Sequence, residues 1–351
     1  MFGNRLGWGL AAVLALGVFG LVALVASMNK TSPPSKGVVA GLGVGGKPLA
    51  LNLETDASIL DPIVLPFRPT DIVPQMTQAQ DAAPLYREAI AAYKASRYDY
   101  DPALIIKNGR PRYTDLDKYP ALIPLVKARH MTQMSLYKAN PESVITYASE
   151  PPDLKALNDL GTLAYKLAFA LKDDPAKRQT AVELAEAAFS LGVKMAEERL
   201  RYIEWFWGSG MLREAALVLG SLDESRKVAA ADLSKAMGEL LSKRTYPLWQ
   251  VVGSVDGGIM GRTAGDVYFI AKNAKERLWR IEAVLKLGLY RYTVGGDPRN
   301  PGVPSAKGAD QRQALPRVRR IKNDPNEDPA VRAAAAAAES FSRDDFQRYG
   351  S

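Results

Sequence analysis

Leu154-Lys-Ala-Leu157-Asn-Asp-Leu160-Gly161-Thr-Leu163-Ala-Tyr165-Lys-Leu167-Ala-Phe-Ala-Leu171 runs into Lys172-Asp-Asp-Pro175, and a second apolar run follows from Val182 to Met195. Leu154, Leu157, Leu160, Leu163, Leu167 and Leu171 recur at spacings of three and four, which places them on one face of a helix. Asp173-Asp174-Pro175 ends that helix, and Pro175 suits the first turn of the next. The next helix carries Val182, Ala185, Ala188 or Phe189, Leu191 or Gly192, and Met195 on one face. Glu183, Glu186, Glu197, Arg199 and Arg201 largely fill the remainder. Helices joined by so short a loop are antiparallel neighbours. The chain is therefore expected to be mostly α.

The same period extends in both directions. Upstream, Thr77 to Lys94 carries Ala82, Leu85, Tyr86, Ala89, Ile90 and Tyr93 on one face. A loop over Arg97 to Arg112 follows. A second helical region is expected from about Asp115 to Lys138, with Pro120 and Pro124 near its start and Asn140-Pro141 as its break. Downstream, Leu-Gly recurs at Leu160-Gly161, Leu191-Gly192, Leu219-Gly220 and Leu287-Gly288, the first three separated by 31 and 28 residues. That spacing is about one helix pair. Small residues at these points would let neighbouring helices approach closely.

Two stretches resemble known repeats. Leu157-x-x-Leu160-Gly161-x-x-Ala164-Tyr165 resembles the first helix of a tetratricopeptide repeat, without its opening Trp and with the Tyr displaced by one. Trp279-Arg280-Ile-Glu-Ala283-Val-Leu285-Lys-Leu287-Gly288 is similar to the second helix of a HEAT repeat. Asp328-Pro329-Ala-Val331-Arg332-Ala-Ala-Ala335 is similar to that family's turn-to-helix signature. Arg280 and Arg332 lie 52 residues apart, longer than the usual repeat, and the Gly/Pro-rich insertion Gly295 to Gly308 accounts for the excess. The resemblance implies stacked helix pairs with a protein-binding surface and implies no catalysis.

Composition sets the limits. The chain has 351 residues, 47% of them apolar and 24% charged, as a globular core requires. It has no cysteine, which removes disulfides, thiolate nucleophiles and cysteine-based metal sites, and one histidine, too few for a catalytic zinc. That residue, His130, is expected on a helix. Ser135-Leu-Tyr-Lys138 fits a serine–lysine pattern, but the companion elements are missing. No cofactor and no metal are expected.

Leu6 to Met28 contains no charged residue and is bracketed by Arg5 and Lys30. A helix needs about 20 apolar residues to cross a bilayer, so this run is expected to be a single-pass anchor. A cleaved signal peptide, cut near Val25-Ala-Ser27, is the competing reading. Charge on the two flanks nearly ties; the short N-terminal tail favours a domain on the extracytoplasmic side. Asn29 to Gln75 is rich in Pro and Gly and is expected to be an extended connector that partly lies against the domain. Gly41-Leu-Gly-Val-Gly-Gly46-Lys47 imitates a phosphate loop, but Pro48 stands where a Ser or Thr must bind magnesium, and the run reads as a linker. The expected organisation is thus an anchor over 1–28, a connector over 29–75, a tetratricopeptide-like helical domain over 76–250, and HEAT-like pairs over 251–351, entered through the Gly-rich stretch Val251 to Gly265.

Charge is uneven. Lys272 to Arg332 holds 14 Lys and Arg against 7 Asp and Glu, a balance of +7 beside +8 for the whole chain. Arg317, Arg319, Arg320 and Lys322 are its densest part and are candidate contacts to a partner or to anionic lipid. No recognition motif or stacking array accompanies them, so nucleic acid is not expected. Trp205 and Trp207, in Tyr202-Ile-Glu-Trp-Phe-Trp207, read as core filling or as an aromatic partner contact. The function expected is a membrane-anchored helical-repeat scaffold or adaptor binding a protein partner. An envelope enzyme with a carboxylate-lined cleft, or a basic module on anionic lipid, is the alternative.

Overall fold

The computed structural model describes residues 61–345, except 97–99, 101–104, 108–109, 139, 146–149, 246–247, 250–251, 253–263, 291 and 293–307. All of these belong to one compact unit, Ala50–Ser351. The expected anchor, Leu6 to Met28, and the glycine run Gly41 to Lys47 lie outside the described residues. Among the described residues no helix is long and apolar enough to cross a membrane.

The unit is mostly helical. α1 (Ala83–Ala95) and the short α2 (Leu122–Lys127) pack together against a run of long helices: α3 (Pro152–Leu171), α4 (Arg178–Glu198), α5 (Tyr202–Leu222) and α6 (Lys227–Leu240). Each of these four packs on the next, and α3 also reaches α5. A π-turn, Leu241–Thr245, closes this half. The second half holds α7 (Ala264–Asn273), α8 (Arg277–Tyr290), α9 (Gly308–Lys322) and α10 (Pro329–Ser340), with α8 packed against all three others. The helical faces follow the sequence: all six leucines of the α3 stripe are buried. In α10, Asp328 caps the first turn by accepting from Ala330 N at 2.8 Å and Val331 N at 3.3 Å.

The Leu-Gly recurrences fall at helix contacts. A Cβ on Gly192 would sit 2.6 Å from Leu212 N and 2.9 Å from Gly208 O, so α4 and α5 cross at backbone distance. On Gly288 it would sit 2.6 Å from Ala338 O, where α8 meets α10.

Four expectations are corrected. Asp115 to Lys138 is not one helix: Leu116–Lys118 is a 3-10 turn, α2 spans six residues, and the chain then extends into strand β4 (Met131–Gln133). Pro120 stops the helix from extending upstream, while Pro124 sits in the first turn of α2, where its missing N–H breaks no bond. Gln78–Asp81, expected at the start of a helix, is strand β1 and pairs in parallel with β4. A second small pair, β2 (Ile106–Lys107) with β3 (Arg110–Pro111), is antiparallel. His130 lies in the turn before β4, not on a helix. Pro175 precedes α4 rather than opening it, because Asp174 accepts from Ala176 N at 2.9 Å and holds a turn.

Candidate functional site

The densest polar construction is the junction between α4 and α5. Glu198 ends α4, and its Oε1 accepts from Tyr137 N at 2.8 Å and Lys138 N at 2.7 Å. Arg199 follows with φ of 29°, the one non-glycine residue with positive φ among those described. Arg201 is buried, donating from Nε to Glu282 Oε1 at 2.7 Å and from Nη1 to Val144 O at 3.2 Å. Tyr202 N donates to the same Glu282 oxygen at 2.8 Å. Glu204, wholly buried in the first turn of α5, accepts from Leu200 N at 2.7 Å. Leu200, Arg201 and Tyr202 are thereby fastened to α8, to the 137–144 segment, or to the helix they open. An orphaned N–H at the start of a buried helix costs stability unless an acceptor meets it, and carboxylates meet it here.

Burial sets the protonation of this junction. Desolvation pushes the Glu204 carboxyl well above the usual carboxylate range, and nearby Glu198 adds to the rise. Glu198 is raised mainly by burial, against the two backbone donors that favour its charged form.

One face of α4 carries Glu186, Ser190, Lys194 and Glu198 at intervals of four, and all four are buried. Lys194 Nζ donates to Ser190 Oγ and lies 5.7 Å from the Tyr86 ring centroid. Burial lowers its pKa from 10.5 to about 7, opposed only by Glu197. Glu186 joins α4 to two other elements, through Arg226 Nη1 at 3.0 Å and through His130 Nε2 at 3.3 Å and Arg129 Nε at 3.7 Å. Of these, only Glu186 was placed off the apolar face by the sequence pattern, and it is buried with the others. The signal that could have placed them is their strict four-residue spacing inside a helix that is apolar on nearly every other side.

Lys194 predicts a measurable gain. An ammonium held in a site this dry penalises the fold, so Lys194→Met is expected to stabilise the body by on the order of 3 kcal/mol at pH 7. The lowered pKa fixes the sign of the pH dependence. The wild type loses stability as pH falls from 10.5 to about 7, the window in which the unfolded chain binds a proton and the folded chain does not. The variant should lack that slope, so its advantage shrinks toward pH 10. Urea denaturation at pH 7 and pH 9.5 checks both points.

The candidate contacts from sequence separate into different environments. Trp205 is fully buried and fills the core, the first of the two readings given for it from sequence. Trp207 is half-buried against the same core. Arg317 lies over the Tyr268 ring, 5.6 Å from its centroid. Arg319 Nε and Lys322 Nζ both bind Glu339 of α10, at 2.8 and 2.6 Å, and Arg320 is exposed. The basic run is brought together on α9, and two of its charges are answered by one carboxylate.

Ser135 Oγ donates to Asp81, and the Lys138 backbone N–H donates to Glu198. A shallow groove is lined by Tyr113, Asp115, Leu116, Tyr119, Leu167 and Leu184. Among the described residues no group of three or more His, Cys, Asp or Glu could hold a metal ion. No family model, no curated protein and no solved structure matches the chain.

Proposed function

We propose that the chain is a membrane-anchored helical-repeat scaffold that binds a protein partner at the membrane surface, through the shape of its stacked helices rather than through reaction chemistry. In this reading α3 to α6 act as tetratricopeptide-like pairs and α7 to α10 as HEAT-like pairs, and the uncharged run Leu6 to Met28 is the anchor. The observation that carries it is the use made of the buried carboxylates. Glu198, Glu204, Glu276, Glu282 and Glu327 each bind backbone N–H groups, arginines or a lysine where one element meets another. Glu276, Glu282 and Glu327, committed to arginines, a lysine and backbone, stiffen a framework, while one oxygen each of Glu198 and Glu204 stays buried without a partner among the described residues; a general acid or base has to face a substrate. A contact to anionic lipid ranks second, because Arg319 and Lys322 are already paired with Glu339.

Site-specific photocrosslinking tests the proposal. A crosslinking residue is placed at exposed Val228 or Arg320 of the full-length chain in native membranes. The expected result is one discrete protein adduct that persists in a Glu204→Gln chain. Hydrolytic activity lost in Glu204→Gln, with no adduct from either position, would instead establish the enzyme alternative.

A further inference from the structure

Ahead of β1, residues Asp61 to Arg68 lie along the helices with alternating burial. Ile63, Leu65 and Phe67 turn inward; Pro62, Val64 and Pro66 turn out. An extended segment ordinarily finds its hydrogen bonds in a neighbouring strand. Pro62 and Pro66 have no N–H to offer one, and side chains meet the neighbouring backbone instead. Ile63 N donates to Glu276 Oε2 at 3.0 Å, and Ile63 O accepts from Arg199 Nη2 at 3.0 Å. Arg199 Nε in turn donates to Glu276 Oε1 at 3.2 Å. The pair thus answers both backbone groups of one residue, as a paired strand would. Arg244 Nη2 donates to Asp61 O at 2.8 Å and Pro62 O at 2.9 Å, and Lys275 Nζ lies 2.7 Å from Asp61 Oδ1.

The four side chains come from both halves of the body. Arg199 follows α4, and Arg244 sits in the π-turn after α6. Lys275 and Glu276 form the turn between α7 and α8. Arg199 holds its guanidinium there from a left-handed backbone that an arginine rarely adopts, and a strained residue at a multi-way contact points to a function for the contact.

We propose that this side-chain cluster is a backbone-reading peptide site, occupied in cis by Asp61–Ile63, and that its occupancy staples the first helical half to the second. Recognition is mostly of main chain. One carboxylate, at Asp61, and one buried aliphatic side chain, at Ile63, fix the register. The site therefore takes an extended acidic–proline–aliphatic segment. The staple does not depend on the anchor reading, since it operates whether or not Leu6 to Met28 enters a bilayer.

The absence of cysteine makes the test clean, because two introduced thiols can be labelled alone. Lys235→Cys on α6 and Ala336→Cys on α10, both exposed, carry spin labels in the full-length chain, and pulsed dipolar spectroscopy reads their separation. The parent is expected to give one narrow distance distribution. Arg199→Gly with Glu276→Gln removes the reading groups while tolerating the backbone angle. It is expected to widen the distribution about twofold and to speed proteolysis near Val64 about tenfold. An unchanged distribution and cleavage rate in that folded variant overturn the staple. Should that variant not fold, Asp61→Asn with Lys275→Ala, which touches only the outer ion pair, is expected to raise cleavage about threefold; no rise overturns it equally. The site itself is tested in Ile63→Glu, whose own segment is displaced. A synthetic peptide of residues 61–67 is expected to restore the narrow distribution, and no restoration at excess peptide overturns the binding site.

Discussion

Arg201→Ala should lower the stability of the helical body by about 3–5 kcal/mol, the range for removing one partner of a buried ion pair. Arg201 and Glu282 are both buried and meet at 2.7 Å. Deleting the guanidinium strands the Glu282 carboxylate inside α8, with only Tyr202 N as donor at 2.8 Å, and frees Val144 O. The cost comes chiefly from the charge left behind rather than from the bond removed. Arg201→Met combined with Glu282→Gln leaves no unpaired charge and keeps an acceptor for Tyr202 N. It should therefore recover more than half of the loss. Equilibrium unfolding in urea reads both variants. A cost below about 1 kcal/mol for Arg201→Ala would mean that the junction is not held by this pair.

Gly192→Ala should cost about 3 kcal/mol, at the upper end for a single added methyl group. The new Cβ meets backbone, Leu212 N at 2.6 Å and Gly208 O at 2.9 Å, and backbone cannot rotate out of the way. α4 and α5 must separate along their length. Two other glycines give internal controls. At Gly161 the added carbon meets the end of the Met211 side chain, which can swing aside, so Gly161→Ala should cost less than half as much. At Gly210 nothing lies within 4 Å, so Gly210→Ala should stabilise α5 by up to about 1 kcal/mol. Thermal unfolding of the three variants should rank them in that order.

Much of this fold is legible in the order of residues. The leucine stripe of α3, the apolar face of α4 and the Leu-Gly positions are local patterns, and packing needs only small residues where helices cross. The segment from Asp115 to Gln133 was not legible, because its fate is decided by a long-range parallel pairing of β4 with β1 that no local period announces. The candidate site was hidden for a related reason. Glu198, Arg201 and Glu204 look like an ordinary solvated helix end until the chain returns, 81 residues after Arg201, to place Glu282 beside them. Nor could spacing show that Glu339 answers Arg319 and Lys322, since 20 and 17 residues separate them. Trp205 lies in a helix in which buried and half-buried positions alternate irregularly, and only the folded structure separates it from Trp207.

The proposed attachment of the helical body to a membrane through Leu6 to Met28 has a direct test. Alkaline-carbonate extraction of membranes from cells making the full-length chain tests it most directly. The chain is expected to stay with the membrane pellet and to be released only by detergent. Recovery of the intact chain in the carbonate supernatant would contradict it.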